Sequence, residues 1–302
     1  MNDVLEFYDR ALNGERVNAK AFNIEVLPNK LQELIEKYEI SYNREDLVPQ
    51  DLDMAKRVFE AALELVSEVG VYFMDTKSII KIEQQEIISA LKEAHSHHSI
   101  GTGAEEAECY ARGIEDKRRP MIIGGVNGAP ISEENCINIM TSYAKEPIDG
   151  LHTGTIQSLF GKEIRAKSPI EILVCKYEAL WARESLLRVG KPGLSILGIM
   201  SGSDSESQNA GDFEGGLRPS DMHIVVFLNE LKADSDVFKK IVHNQHLGNI
   251  IDACMGGHTI GGYAGGQEGS AITAVAEIMA AYVIARPMAF SMYPVNLHSG
   301  VS

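Results

Sequence analysis

GKPGLSILG, Gly190 to Gly198, decides how the rest of the chain is read. It closes a long amphipathic segment, turns on Gly-Lys-Pro-Gly, and runs apolar into a Gly/Ser-rich loop. Proline fixes φ and glycine accepts positive φ, so the tetrapeptide reads as a tight turn between a helix and a strand. The strand ends at Leu197. In α/β barrels the chemistry sits at the carboxyl ends of the strands. A leucine at that place offers no acid, base or nucleophile.

The same alternation spreads outward from this strand. From about residue 120, apolar runs predict strands at 120–125, 148–153, 194–199, 222–227, 249–255 and 288–293. Helical patterns lie between them, near 132–145, 169–189, 234–245 and 269–285. Ser168-Pro169-Ile170-Glu171 predicts a capping box with proline at the first helical position. Strand and helix in alternation predict parallel strands covered by helices. This leaves an open doubly wound sheet, or a barrel of which about six of eight βα units precede Ser302. Residues 1–118 read as a mostly helical N-terminal extension and 119–302 as the barrel region. Pro28 opens one helix, with Leu31, Leu34, Ile35 and Tyr38 on one face. A second follows Asp51 or Asp53 and stops at Gly70, a third carries Ile87, Ile88 and Leu91, and Val71–Phe73 and Ser78–Ile82 read as short strands.

Composition narrows the function. The 302 residues carry 43 acidic and 28 basic side chains, a net charge of −15, which excludes a nucleic-acid partner that needs clustered Lys and Arg. No stretch is long and apolar enough to span a bilayer, and the N-terminus has no apolar signal core, so a cytoplasmic protein is expected. Cys109, Cys136, Cys175 and Cys254 are far apart with no CxxC pair, so neither a disulfide framework nor a zinc site is expected. His95, His97 and His98 cluster without a carboxylate or cysteine at ligand spacing, so no metal is assigned to them. No G-x-S-x-G elbow is present, which disfavours a serine hydrolase.

Two loops stand out. Residues 202–221 are rich in Gly, Ser, Asp and Glu, and Asp212 and Glu214 are candidates for a cation-binding rim. Residues 256–270 hold seven glycines and lead into a helix, although their spacing does not fit a dinucleotide fingerprint. Position at strand ends adds Leu197, His223 and Tyr263 as pocket walls, with Asn296 and His298 after the sixth strand.

Several segments then resemble one family in order and at near-constant spacing. They are FYDRA at 7–11, GTG at 101–103, GG-x-x-G-x-PISE at 124–133, KSP-x-E at 167–171, GKPG at 190–193, LNELK at 228–232 and GGYAGG at 261–266. Over nearly the whole chain they resemble the monomethylamine:corrinoid methyltransferases of methanogenic archaea. The resemblance implies a TIM-type (β/α) barrel, a ring-like homo-oligomer, and a corrinoid protein as partner whose Co(I) accepts the methyl group. This chain would hold no cofactor tightly, since the corrinoid is carried by the partner. The family activates the amine with pyrrolysine. Leu197 stands at that position here, and Met255, with Asp252 nearby, at the position of a family acid. The remaining family site residues lie on later strands, beyond Ser302. The resemblance therefore implies a methyltransferase in methylamine metabolism whose donor needs no covalent activation, such as a quaternary ammonium compound. The alternative is a non-catalytic paralogue or assembly subunit that keeps the fold and the corrinoid-protein surface.

Overall fold

The computed structural model describes residues 2–46, 51–113, 116–254, 256–258, 262–286, 289–290 and 296–298. Met255 falls outside them. The chain divides into two compact units, one of residues 1–94, 225–241 and 253–302, the other of 95–224 and 242–252.

In the first unit, helices α1 (Asn2–Asn13), α2 (Leu27–Lys37), α3 (Leu52–Val69) and α4 (Gln84–Glu93) form as their periodicity requires. α2 buries Leu27, Leu31 and Leu34. The Asp51 carboxylate caps α3 by accepting from the backbone N–H of Asp53 and Met54, and Gly70 ends it at φ 75°. A side chain at Gly70 would put Cβ 2.5 Å from the Ile80 carbonyl, so only glycine fits there. Residues 1–118 are not helices alone. Strand β1 (Val71–Phe73) lies between antiparallel β2 (Ser78–Ile80) and a parallel partner, Lys232–Ala233. In the second unit, β3 (His97–Ile100) and β4 (Ala107–Tyr110) make a hairpin.

Strands form within each of the six expected runs, although of the run 288–293 only 289–290 lies among the described residues. They are β5 (Ile123–Gly125), β6 (Gly150–His152), β7 (Ser195–Leu197), β8 (Met222–Val226), β10 (Ile250–Cys254) and β12 (Ala289–Phe290), with Lys232–Ala233 as β9, Gly256–His258 as β11 and Asn296–His298 as β13. Their order in the sheet is β12-β10-β8-β7-β6-β5, the order of the chain. β5, β6, β7 and β8 pair in parallel, with Gly124 opposite Leu151, Ile196 opposite Leu151, and Leu197 opposite both His152 and Met222. A doubly wound sheet reverses its strand order part-way. This sheet never reverses, so that alternative is excluded. It is an α/β sheet wound in one direction, and among the described residues its two edge strands, β12 and β5, do not pair with each other.

Helices α5 (Glu133–Ala144) and α6 (Pro169–Arg188) cover the sheet in the second unit. Met140, Ala144, Val174, Ala179 and Leu186 pack against Leu151, Ile196 and Ile199. Each large apolar side chain buried this way contributes roughly 1.5–3 kcal/mol. α7 (Ser235–Leu247) follows β9. No helix among the described residues is long and apolar enough to cross a membrane.

In the first unit α8 (Gln267–Ile284) is buried along most of its length and packs on α3 and α4. It carries one acid inward. Glu277 accepts hydrogen bonds through Oε1 from the backbone N–H of Glu230 and Leu231. These two residues sit in the left-handed region, at φ 67° and 56°. That conformation is unfavourable for side chains with Cβ, and the shared acceptor holds it. Burial pushes the Glu277 carboxyl from 4.5 up to about 8, against the two backbone donors and with Glu230 adding to the rise. The folded state thus keeps a proton that the unfolded chain releases. This contribution is full below about pH 4.5 and is lost as pH rises to about 8. Glu277→Gln, which copies the protonated acid, is expected to flatten the fall in stability between pH 5 and 8 by a few kcal/mol. Urea unfolding across that range checks it, and parallel pH profiles for the two proteins would refute it.

Candidate functional site at the carboxyl ends of the parallel strands

One face of α6 builds this site. Glu171, Glu178 and Arg183 share its inward stripe with Val174, Cys175, Ala179, Ala182 and Leu186. Three charges on an apolar stripe must find partners, because an unpaired buried charge is costly. Glu178 finds them just past β7. Its Oε1 accepts from Met200 N–H at 2.8 Å and from the Thr153 hydroxyl, and its Oε2 accepts from Ser201 N–H at 3.0 Å. Burial lifts the Glu178 carboxyl to about 7 despite these donors. Thr153 Oγ1 also lies 3.2 Å from the Gly198 carbonyl oxygen. Glu171 accepts from Ser203 N–H and Lys167 N–H, each at 2.6 Å. The capping box expected at Ser168 is therefore not made, since Glu171 turns to the β7–β8 loop, and the Ser168 hydroxyl donates to Arg165. Arg183 holds the far end of that loop, donating to the carbonyls of Gly216 and Leu194 and pairing with Asp221. Asp221 in turn accepts from Ile196 N–H at 2.8 Å.

The strand ends present two faces. Leu151, Leu194 and Ile196 belong to the core under the helices. Side chains alternate along a strand, so Gly150, His152, Ser195 and Leu197 line the other face. Leu197 is buried and lies over Gly150, where a Cβ would come within 2.6 Å of its Cδ1. Beside it, burial holds the His152 imidazole below its ordinary value, with Nδ1 3.3 Å from the Thr153 carbonyl.

His223 was expected beside Leu197. Met222 is the residue opposite Leu197 and shares its face, so His223 points to the helix side instead. There it is 5% exposed. Its Nε2 lies 3.2 Å from the Arg218 carbonyl and its Nδ1 3.3 Å from the Asn249 amide, which fits a neutral ring with the proton on Nε2. Burial holds its pKa down and outweighs the pull of Asp212. Asp212 bonds His243 Nε2 at 2.6 Å on α7 and stands 3.6 Å from His223 Nδ1. It is a partner of two histidines, half-buried, where sequence order suggested an open cation rim. Glu214 is exposed and pairs with Lys176 at 2.6 Å, away from Asp212.

The remaining candidates are placed as follows. Tyr263 belongs to the first unit, half exposed, its N–H bonded to Glu230. Asn296 and His298 lie on β13, parallel to β11, with Asn296 opposite Gly256 and His298 opposite His258. Asp252 is buried on β10. Sequence reasoning missed Glu171, Glu178 and Arg183. Charges at positions 171, 178 and 183 of a helix whose apolar stripe includes 174, 175, 179, 182 and 186 were the available signal. It also missed a cavity of about 440 Å³ lined by Thr155, Gln157, Glu163, Ile164, Glu171 and Ser201. Among the described residues no cluster of histidine, cysteine and carboxylates is arranged to hold a metal.

Two outcomes follow from this geometry. Glu178→Gln turns an amide N–H₂ toward a backbone donor and is expected to cost roughly 2–3 kcal/mol in urea unfolding. His223→Ala is expected to lower stability by about 1–3 kcal/mol while leaving the binding of any ligand on the Leu197 face unchanged. A loss of such binding without a loss of stability would show the two faces to be wrongly assigned.

The comparisons with known proteins agree with this architecture. The family described as Monomethylamine methyltransferase MtmB matches residues 2–301. Monomethylamine methyltransferase MtmB2 of Methanosarcina acetivorans is 34% identical over 300 residues, which are 99% of this chain and 65% of that protein. MtmB of Methanosarcina mazei is 34% identical over the same shares. The chain thus spans 65% of the length of these relatives. The crystal structure of the Methanosarcina barkeri monomethylamine methyltransferase matches with a TM-score of 0.88 and 33% identity, over 93% of this chain and 61% of that one. A hydroxylamine complex of MtmB matches equally well, with a TM-score of 0.88 and 33% identity. With its one-directional α/β sheet and nearly every residue matched, the chain belongs to the monomethylamine methyltransferase MtmB family.

Proposed function

We propose that this chain acts in the corrinoid-dependent methyl transfer of methylamine metabolism, on a donor that brings its own leaving group. The observation that carries the reading is Leu197 at the carboxyl end of β7, on the face away from the helices. In this reading it occupies the place of the family's pyrrolysine, and the one-directional sheet is part of a TIM-type barrel. The acceptor is Co(I) of a corrinoid carried by a separate protein. Its electron pair forms a bond to the methyl carbon as the carbon–nitrogen bond breaks, and that bond's electrons leave with nitrogen. A neutral methylamine would have to leave as an amide anion, so it needs prior protonation or covalent capture. A leucine supplies neither. A quaternary ammonium donor leaves as a neutral tertiary amine and needs no proton. The chain's task is then to bind and orient a cation and to exclude water. Leu197 gives an apolar floor for the methyl groups, and the loop fixed by Glu178 and Glu171 holds that floor in place. We also propose a cytoplasmic homo-oligomer.

The test uses the full-length protein with a corrinoid protein reduced to Co(I). Tetramethylammonium, other quaternary donors and monomethylamine are offered in turn, and the corrinoid absorbance is followed. Methyl–Co(III) formed from a quaternary donor and not from monomethylamine is the expected result. Transfer from no donor would overturn the function, and transfer from monomethylamine would overturn the role given to Leu197.

A further inference from the structure

Two sequence motifs have found no role so far, LNELK at 228–232 and GGYAGG at 261–266. In the first unit they meet. Tyr263 N–H donates to Glu230 Oε1 at 2.6 Å. Glu230 Oε2 lies 3.3 Å from the Lys232 ammonium. That ammonium sits over the Tyr263 ring, 5.1 Å from its centroid. One cation is thus held between a carboxylate and an aromatic face.

The site is built from rigid parts. Leu228 and Lys232 form an antiparallel bridge, and the Leu231 carbonyl accepts from Tyr72 N–H at 2.8 Å. Lys232 is in register with Tyr72 of β1, which fixes its Cα, and its side chain is 14% exposed. Glu277 grips the Glu230 and Leu231 amides and holds both in left-handed geometry. The Glu230 side chain is 3% exposed, whereas the Tyr263 ring stays half open to solvent. Burial favours the neutral form of Glu277, and the carboxylate in contact with the ammonium is that of Glu230. Glu277 Oε2 is buried beside it without a hydrogen-bond partner.

We infer that Tyr263 and Glu230 form a subsite for a methylated ammonium ion, which the Lys232 side chain occupies in the free protein. Lysine is a strongly hydrated point charge on a flexible stem. A methylated ammonium is less hydrated, spreads its charge over its methyl groups and favours an aromatic face. It can therefore displace the lysine, which swings into solvent. A simple tether between two loops needs the carboxylate contact but has no use for the ring. This inference rests on the proposed donor class, and binding tests it separately from methyl transfer.

The probes are tetramethylammonium and choline, with 3,3-dimethylbutanol as the uncharged counterpart of choline, titrated by calorimetry at constant ionic strength. Lys232→Met keeps the stem and removes the competing charge. It is expected to tighten binding of both cations by about five- to tenfold. Adding Tyr263→Leu should remove that gain, and Tyr263→Phe, which keeps the ring face, should retain it. The Tyr263 variants change a half-exposed ring and Lys232→Met removes the ion partner of a buried carboxylate, so circular dichroism checks that each variant folds before it is titrated. Unchanged affinity in Lys232→Met, no effect of Tyr263→Leu, or equal binding of the uncharged alcohol would overturn the subsite. Cation binding of the expected pattern without methyl transfer would support the subsite and count against the reaction alone. Methyl transfer without such binding would leave the reaction standing and overturn the subsite.

Discussion

The buried carboxylate of Glu178 is the contact on which the second unit depends. It joins three segments that are distant in sequence, α6, the start of the β6 loop at Thr153 and the turn after β7 at Met200 and Ser201. A buried acid stripped of these donors would be far costlier than an apolar residue in its place. The chain therefore cannot move the β7 turn without exposing or unpairing Glu178. Arg183, five residues further along the same buried stripe, does the equivalent at the other end of the loop through Gly216 and Asp221. A Gly/Ser-rich loop that would otherwise be free is tied at both ends by one helix.

The same logic runs through the first unit. Glu277 on α8 holds Glu230 and Leu231 in left-handed geometry, and Glu230 in turn meets Lys232 and the Tyr263 amide. In both units an acid on an inward helix face serves backbone amides of a loop at a strand's carboxyl end. Acids in such places tolerate burial because they are either neutral or multiply hydrogen-bonded. The strand ends gain fixed geometry from this, which is what a site that orients a small cation requires.

Much of the architecture was legible in the chain. The six apolar runs and the helical patterns between them became strands and helices at close to the expected bounds, because period-two and period-3.6 burial leaves a direct imprint on residue order. Asp51, Gly70 and Pro169 marked helix ends for local steric and hydrogen-bonding reasons that neighbours do not override. The site was much less legible. His223 seemed to stand beside Leu197 because both lie on adjacent strands, but the register placed Met222 opposite Leu197 and turned His223 to the other face. Asp212 and Glu214 read as one acidic rim, yet a left-handed Glu214 points to Lys176 while Asp212 turns to His243. The capping box at Ser168 failed because Glu171 had a competing pair of amides that no local pattern reveals.

By itself the sequence determined the α/β class, the six strands and their helices, the family, and the unreactive residue at the end of β7. These depend on local periodicity and on ordered motifs, which are properties of the linear chain. Only the tertiary structure decided the strand order, the face on which each strand-end residue lies, and the partners of the buried acids. Those depend on register and on contacts between segments many residues apart, and a shift of a single residue in a strand exchanges its two faces.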